Sequence, residues 1–491
     1  MVSLTFDNSY ARLPERFHHR QQPQRMPAPR LVLFNAALAR ELGFDPASRT
    51  PDEIAALLCG NDLPEGAQPL AMVYAGHQFG HWVPRLGDGR ALLLGEVVTP
   101  AGERRDIHLK GSGRTPFSRG GDGRAALGPV LREYIVAEAM ARLGIPTTRA
   151  LAAIATGDTI TRDTPLPGAV LVRVARSHLR VGTFQYFAAT GDVEGLRELA
   201  DHAVARLYPH ARQAENPCRA LLDAVIGAQA ALVAEWMGVG FIHGVMNTDN
   251  TSIAGETLDY GPCAFMDAFD PGAVFSSIDS MGRYAYGNQP SIVYWNLARL
   301  AQALMPLLAP DAAQAQHAAQ EAVDGFPDRY EAAWLAVMRR KLGLVSAQEG
   351  DASLVRDLLT LMHGQGADYT LTFRRLARAV IAPAAGAERP FAPAFDGWLG
   401  RWRRRLEADG AGADRSDPSA VSRRLEAANP LFIPRNHLVE EALAAAYAGD
   451  PGPARTLLDV LADPFADRPQ HARHALPPTP GEIVRETFCG T

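Results

Sequence analysis

The nineteen residues His243–Gly261, His-Gly-Val-Met-Asn-Thr-Asp-Asn-Thr-Ser-Ile-Ala-Gly-Glu-Thr-Leu-Asp-Tyr-Gly, constrain this chain more than any other stretch. Asn250 and Asp259 are oxygen ligands on two adjacent segments, the sparse kind of set that magnesium uses while keeping water and phosphate as its other ligands. A short hairpin is expected to carry them. Asp249, beside Asn250, reads in two ways, as a general base or as an Asx-type turn residue that supports its neighbour. Its adjacency to a metal ligand favours the base. His243 is expected to make structural hydrogen bonds rather than to act in catalysis.

The order of these residues matches a kinase catalytic loop followed by its Asp-aromatic-Gly, with one part moved. Asn250 and Asp259-Tyr-Gly261 stand where a kinase has them, but the second position after the His, where the base for phosphoryl transfer belongs, is Val245. The stretch keeps its metal ligands and lacks the usual base. Ordinary phosphorylation is therefore not the expected reaction.

Lysine usage points to a second element. Of the 49 basic residues only Lys110 and Lys341 are lysine. Arginine is a planar fork and lysine a compact point charge on a flexible stem, so a phosphate-clamping lysine resists the exchange. Lys110 ends Ile107-His-Leu-Lys110, an alternation typical of a strand, and is read as functional. Lys341, in Arg339-Arg-Lys341, is expected on the surface.

The rest of the composition excludes more than it selects. At 491 residues with 47% apolar and 21% charged side chains, the chain is an ordinary globular protein with room for a sizeable core. A net charge of −5 and a pI near 6.3 argue against a nucleic-acid partner. No apolar run approaches the roughly 18 residues of a membrane helix, and the start lacks the basic and apolar regions of a signal peptide. No membrane partner and a cytoplasmic location are expected. Cys59, Cys218, Cys263 and Cys489 show no paired spacing, which argues against a disulfide scaffold and a zinc site.

Along the chain, residues 1–70 read as an extension with helical pieces near Leu33–Leu42 and Asp52–Leu58. Residues 71–190 read as glycine-punctuated strands (91–98, 106–110, 170–175) with one helix, Pro129–Leu143. Residues 191–380 read as helices at 193–207, 217–238, 292–308, 311–323, 328–341, 351–363 and 371–380. A C-terminal part, 381–491, has linker-like stretches at 381–392 and 408–418, a helix at 437–448 and an extended 464–480. Strands with one key helix, then a large helical lobe that opens on a ligand-bearing hairpin, predict an α+β, protein-kinase-like two-lobe fold with a small β-rich N-lobe.

Three further groups carry chemistry. Gly-Asp-Gly-Arg occurs at 87–90 and at 121–124, flanking the Lys110 strand. Its glycines (Gly87, Gly89, Gly123) let a backbone approach phosphate, and Arg90 adds charge, although a single Gly-Asp-Gly is usually only a hairpin turn. Glu133 is spaced from Lys110 as a kinase's helix glutamate is from its strand lysine, with Glu138 as the competitor. Arg173 interrupts an apolar strand, and Arg180 follows it. A buried guanidinium needs an anion, either a structural carboxylate or a nucleotide phosphate. Arg176 reads as a surface residue.

These segments together resemble the selenoprotein O family, kinase-fold proteins that act as protein adenylyltransferases. The resemblance runs through Tyr74-Ala-Gly-His-Gln-Phe-Gly80, Leu86-Gly-Asp-Gly-Arg-Ala91, His108–Arg119, Gly144–Leu151, His243–Asn250, Asp259–Pro262, Gly282-Arg-Tyr284 and Asn288-Gln-Pro290, and so covers nearly the whole chain. It implies that ATP is held reversed relative to kinases, with its α-phosphate toward the acceptor. It further implies that Gly87, Gly89, Arg90, Lys110, Asp122, Gly123, Arg173, Arg180 and Asp259 hold ATP, that Glu133 orients Lys110, that Asn250 and Asp259 bind Mg²⁺ or Mn²⁺, and that Asp249 is the base. The acceptors implied are Ser, Thr or Tyr hydroxyls of protein substrates. Cys489 matches the place where some members carry selenocysteine and others a cysteine paired to the segment after Asp-Tyr-Gly-Pro. Here Ala273–Asp279 has no cysteine and Cys263 is displaced, so a mixed disulfide of Cys489 with a partner is the redox role left. A kinase with a displaced base and a non-catalytic, ATP-binding pseudokinase scaffold stay open as alternatives, and UTP stays open as donor.

Overall fold

The computed structural model describes residues 4–381, 389–409 and 417–488; Cys489 lies outside them. Its organising element is an antiparallel sheet of eight strands. From edge to edge run His18–Arg20, Leu70–Met72, Ala91–Val98, Arg104–Lys110, Pro165–Ala175, Arg149–Thr161 and Arg30–Phe34, with Ala125–Ala126 added against Pro165–Ala175. Both edge strands come from residues 1–70.

Strand alternation decides what each face of the sheet carries. Ile107, Leu109, Val170, Val172 and Val174 point into one apolar core, with Leu38, Ile54 and Leu58 of the N-terminal helices. Asp106, His108, Lys110 and Arg173 therefore point to the other face. The helix Leu127–Arg142 crosses that face with thirteen of its sixteen residues buried. Helices Asn436–Tyr447 and Gly452–Leu461 cover its outer side through Leu438, Val439, Leu443 and Leu457. The C-terminal part thus braces the helix that carries Glu133.

The remainder is mainly helical and closes around Pro217–Val239, whose cap side chain is Asn216 and which stops at the left-handed Gly240. This corrects one expectation. The helix has 23 residues and a mean hydropathy of 1.4 over its most apolar stretch, enough by length and composition to cross a membrane. In the fold 61% of that stretch is buried within the protein. Its apolar length is what a central core helix needs.

Other corrections follow from tertiary packing. Leu33 belongs to the strand Arg30–Phe34, and the helix begins at Ala36 with Asn35 as its cap. Lys341 is buried, not superficial. Residues 469–475 form a helical turn and a short helix where extended chain was expected. Arg176 is half-buried and donates to the carbonyl of Ala254 at 3.1 Å. The strand Arg149–Thr161 and the helices Val181–Thr190, Asp396–Ala408, Pro418–Ala428 and Gly452–Leu461 had no sequence expectation.

Candidate active site

Sheet register brings the first charges together. Lys110 pairs with Leu171 and His108 with Arg173, and residues opposed across an antiparallel ladder share a face. Lys110 and Arg173 therefore both meet the helix Leu127–Arg142. Glu133 takes them both: Lys110 Nζ donates to one carboxylate oxygen at 2.7 Å, and Arg173 Nε donates to the other. The competitor Glu138 is engaged by Arg149, at 2.7 and 2.9 Å, and by Asn35.

Asp259 completes a square of two cations and two carboxylates, 3.3 Å from Lys110 Nζ and 3.4 Å from Arg173 Nη2. Burial pushes the Asp259 and Glu133 carboxyls up, but Lys110 and Arg173 outweigh it and hold both below their ordinary values. Burial lowers the Lys110 ammonium despite those two partners. Asp259 has φ of 69°, a left-handed conformation that Asp tolerates better than most side chains. The anionic partners of Arg173 within the protein are thus Glu133 and Asp259. Its Nη2 is buried and makes no hydrogen bond, only the ion pair with Asp259 at 3.4 Å.

Arg90 faces the same cluster: its charge helps depress both Lys110 and Asp259. No carboxylate of the described residues pairs with it. The neighbouring glycines do a job the sequence did not reveal. A side chain on Gly87 (φ 68°) would strike the ring of Phe117, and one on Gly89 would reach the Phe117 carbonyl at 2.8 Å. Gly123 (φ 70°) lies against the backbone of Gly113 in the same way. The two Gly-Asp-Gly-Arg turns are therefore joined through the loop 111–123, which Thr115 fastens to the Asp88 carbonyl at 2.7 Å. Asp122 is engaged elsewhere, by Arg162 at 2.7 and 3.1 Å.

A second cluster forms around Asp249. The segment Tyr74–Gly80 folds into a hairpin, Gly76–Gln78 paired with His81–Val83, around a two-residue turn with positive φ at both Phe79 and Gly80. The hairpin lies on the loop that carries Asp249. His77 N donates to Thr248 Oγ1 at 2.7 Å, Phe79 N to Asn247 Oδ1 at 2.9 Å, and Gln78 Nε2 to Asp249 Oδ2 at 3.2 Å. The other oxygen, Oδ1, is buried and has no hydrogen-bond partner. Burial raises the Asp249 carboxyl to about 6, against the pull of Gln78 and Arg180.

Arg180 joins the two clusters. Its Nη1 donates to the Asp249 carbonyl at 3.1 Å, its Nη2 lies 3.6 Å from Asp88, and its guanidinium sits 4.4 Å over the Tyr74 ring. Asp88 is itself fixed by Met72 N at 3.0 Å and by His108. Tyr74, Gly76, Gln78 and Asp88 are site residues that the sequence did not assign; the first three lie in a segment that carried only the resemblance, and Asp88 sits inside the first Gly-Asp-Gly-Arg turn.

His243 has the structural role expected: its Nε2 donates to the Leu258 carbonyl at 3.0 Å and its Nδ1 accepts from Val245 N at 3.4 Å, tying the two ligand segments together. Val245 has a buried apolar side chain. Asn250 spends its amide nitrogen on the Val245 carbonyl at 3.1 Å, so the amide oxygen is the atom that could serve as a ligand. With Asp259 this is a two-oxygen set, too sparse for a closed protein cage and fitting for magnesium shared with phosphate. Among the described residues no three His, Cys, Asp or Glu side chains gather as a cage.

Cys263 is buried, its thiol pushed up to about 12, and it donates to the Tyr260 carbonyl. It is unsuited to redox pairing. The tail still meets the expected segment: Thr487 N donates to the Phe275 carbonyl at 2.7 Å, and Thr487 Oγ1 to the Pro262 carbonyl at 2.7 Å.

Comparison with known proteins places the chain in a family. The family model described as protein adenylyltransferase SelO matches residues 1–461. A protein nucleotidyltransferase YdiU from Methylorubrum extorquens is 59% identical, with 99% of each chain covered. Proteins of the same name from Rhodopseudomonas palustris and Nitrobacter hamburgensis are 58% and 56% identical, over 100% and 99% of this chain and 100% and 96% of theirs. With a family model and relatives both spanning nearly its whole length, the chain belongs to the SelO family.

Proposed function

We propose that this protein is a nucleotidyltransferase that moves AMP from ATP to Ser, Thr or Tyr hydroxyls of other proteins, in the cleft of a kinase-like two-lobe fold. The lobes are residues 71–190 and 191–380, with 1–70 and 381–491 as extensions, and the setting is cytoplasmic. The observation that carries this reading is the free, buried Oδ1 of Asp249, set beside Asn250, while the position of a kinase base is the apolar Val245. The family membership and the names of the relatives support it.

In the step, the acceptor hydroxyl oxygen forms a bond to the α-phosphorus of ATP. The bond from that phosphorus to the α–β bridging oxygen breaks, pyrophosphate leaves with the electron pair, and the hydroxyl proton passes to Asp249 Oδ1. Lys110, oriented by Glu133, together with Arg90, Arg173 and Arg180, holds the phosphates. The turns at Gly87, Gly89, Asp122 and Gly123 shape the nucleotide side of the site. Arg180 spans from Asp88 to the backbone of Asp249, so a phosphate that it holds lies next to the base. Mg²⁺ or Mn²⁺ at Asn250 and Asp259 would neutralise phosphate charge when bound. A mixed disulfide of Cys489 with a partner protein belongs to the same reading, and Cys489→Ser should abolish such capture under oxidising conditions.

The test is transfer of label to protein from ATP labelled at the α- or the γ-phosphate, with Mg²⁺ present and UTP as a competing donor. Transfer of α-label alone supports adenylylation. Transfer of γ-label alone makes the protein a kinase, and preference for the uridine nucleotide moves the donor to UTP.

A further inference from the structure

The Gly282-Arg-Tyr284 motif is not among the residues proposed above to hold ATP, yet it lies beside Asp249. Asp279 accepts from the backbone N–H groups of Arg283 and Tyr284 at 2.9 and 2.7 Å, so its carboxylate is used up on the turn and not on the Arg283 guanidinium. Tyr284 OH then donates to Asn247 Oδ1 at 2.7 Å, two residues before the base. The guanidinium of Arg283 lies 5.0 Å over the ring of Trp295, and that of Arg299 lies 5.2 Å over the same ring. Neither makes an ion pair with a described residue, and the Nε of each is buried without a hydrogen-bond partner.

Two guanidiniums share one indole and no described carboxylate pairs with either, so an anionic guest would supply the counter-charge that both lack. The cluster is continuous with the base. His77 meets Trp295 edge to face at 5.1 Å, and its neighbour Gln78 donates to Asp249. Large apolar side chains stand open nearby: Trp82 is 39% exposed and Met281 is 89% exposed. The phosphate-holding cations are a separate set, since Arg180 reaches Asp249 through its backbone carbonyl and the hairpin reaches it through its carboxylate.

We propose that Arg283, Trp295 and Arg299, with the exposed face of Trp82, form the docking surface for the acceptor protein, and that it takes a segment with Asp or Glu side chains flanking the acceptor hydroxyl. This rests on the reading of Asp249 as the base of nucleotidyl transfer. An acidic protein segment fits better than a nucleic acid, which calls for a longer stripe of cations than two, on a chain of net charge −5.

The experiment uses the full chain and two fluorescent peptides, one with a tyrosine flanked by glutamates and one with the same tyrosine flanked by lysines. Wild type should bind the glutamate peptide about tenfold more tightly, falling with added salt. Arg283→Ala and Arg299→Ala should each shrink the preference while leaving ATP affinity unchanged. A charge-reversed pair, Arg283→Glu with Arg299→Glu, should bind the lysine peptide better, a gain that misfolding does not produce. Equal binding of both peptides by wild type, an unaltered preference in the reversed pair, or tighter Trp295-dependent binding of an oligouridylate would overturn the proposal. Label separates the two readings. Transfer of γ-label to the glutamate peptide rejects nucleotidyl transfer and keeps the docking surface; transfer of α-label with no peptide preference rejects the docking surface alone.

Discussion

A Cβ added to Gly76 would lie 2.5 Å from Oδ1 of Asp249, so the hairpin backbone is flush against the one oxygen of that carboxylate that has no partner. The φ of Gly76 is not in the left-handed region, so a side chain there meets no backbone conflict, only the carboxylate. Gly76→Ala should therefore act as a base-blocking substitution. Transfer should fall by about 10²–10⁴, the worth of a positioned base, while ATP binding is little changed. Near-normal turnover in this variant would mean that the proton leaves by another group.

The acid limb of the rate profile should report Asp249. Its carboxyl is raised to about 6 by burial, and it works ionised, so kcat/KM should fall as pH drops through about 6 and level off above it. The sign for stability is opposite. The folded carboxyl titrates above its unfolded value of 3.8, so stability is full below that value and is lost as pH rises to about 6. Asp249→Asn should abolish the limb with most of the turnover, yet stabilise the fold at neutral pH by about 3 kcal/mol, read as a higher melting temperature. A less stable Asn variant would contradict the burial argument.

Glu133 shares its carboxylate between Lys110 and Arg173, all three at most 5% exposed. Glu133→Gln leaves two buried cations with Asp259 as their shared counter-charge. Removing one partner from a buried ion cluster costs about 3–5 kcal/mol. Thermal melts should show that loss without nucleotide and a partial recovery with saturating ATP, whose phosphates bring anions to the same cations. A melting temperature equal to wild type would show that the square carries no net stability.

Lys110 and Glu133 were legible because each betrays itself locally. A chain whose basic residues are almost all arginine kept a lysine at the end of an alternating strand, and the glutamate sits on the next helix at kinase-like spacing. Gln78 could not be read in this way, since it reaches Asp249 across 171 positions and nothing in the local pattern announces it. The strand Arg149–Thr161 was invisible for another reason. Its alanines prefer helix and look the same on both faces, and only pairing with Arg30–Phe34 and Pro165–Ala175 makes the run extended. Gly87 and Gly123 were read for phosphate approach, whereas their conformation and close packing also serve the contact between loops.

Lys341 was misplaced by its charged neighbours, and the misplacement has a measurable consequence. Its ammonium lies 4.1 Å from the centre of the Phe373 ring and 5.6 Å from that of Tyr369, with no carboxylate paired to it among the described residues. Burial lowers it from 10.5 to about 7. A lysine depressed in the folded state is easier to protonate in the unfolded chain, so the penalty is complete below about pH 7 and fades as pH rises toward 10.5. The aromatic rings offset part of it. Lys341→Met keeps the length of the side chain and removes the charge, and should stabilise the protein at neutral pH by up to about 4 kcal/mol. The gain should shrink steadily in melts taken toward pH 10, with turnover unaffected throughout. A Met variant that melts lower than wild type at pH 7 would show that the ammonium is bound more favourably in the fold than in water.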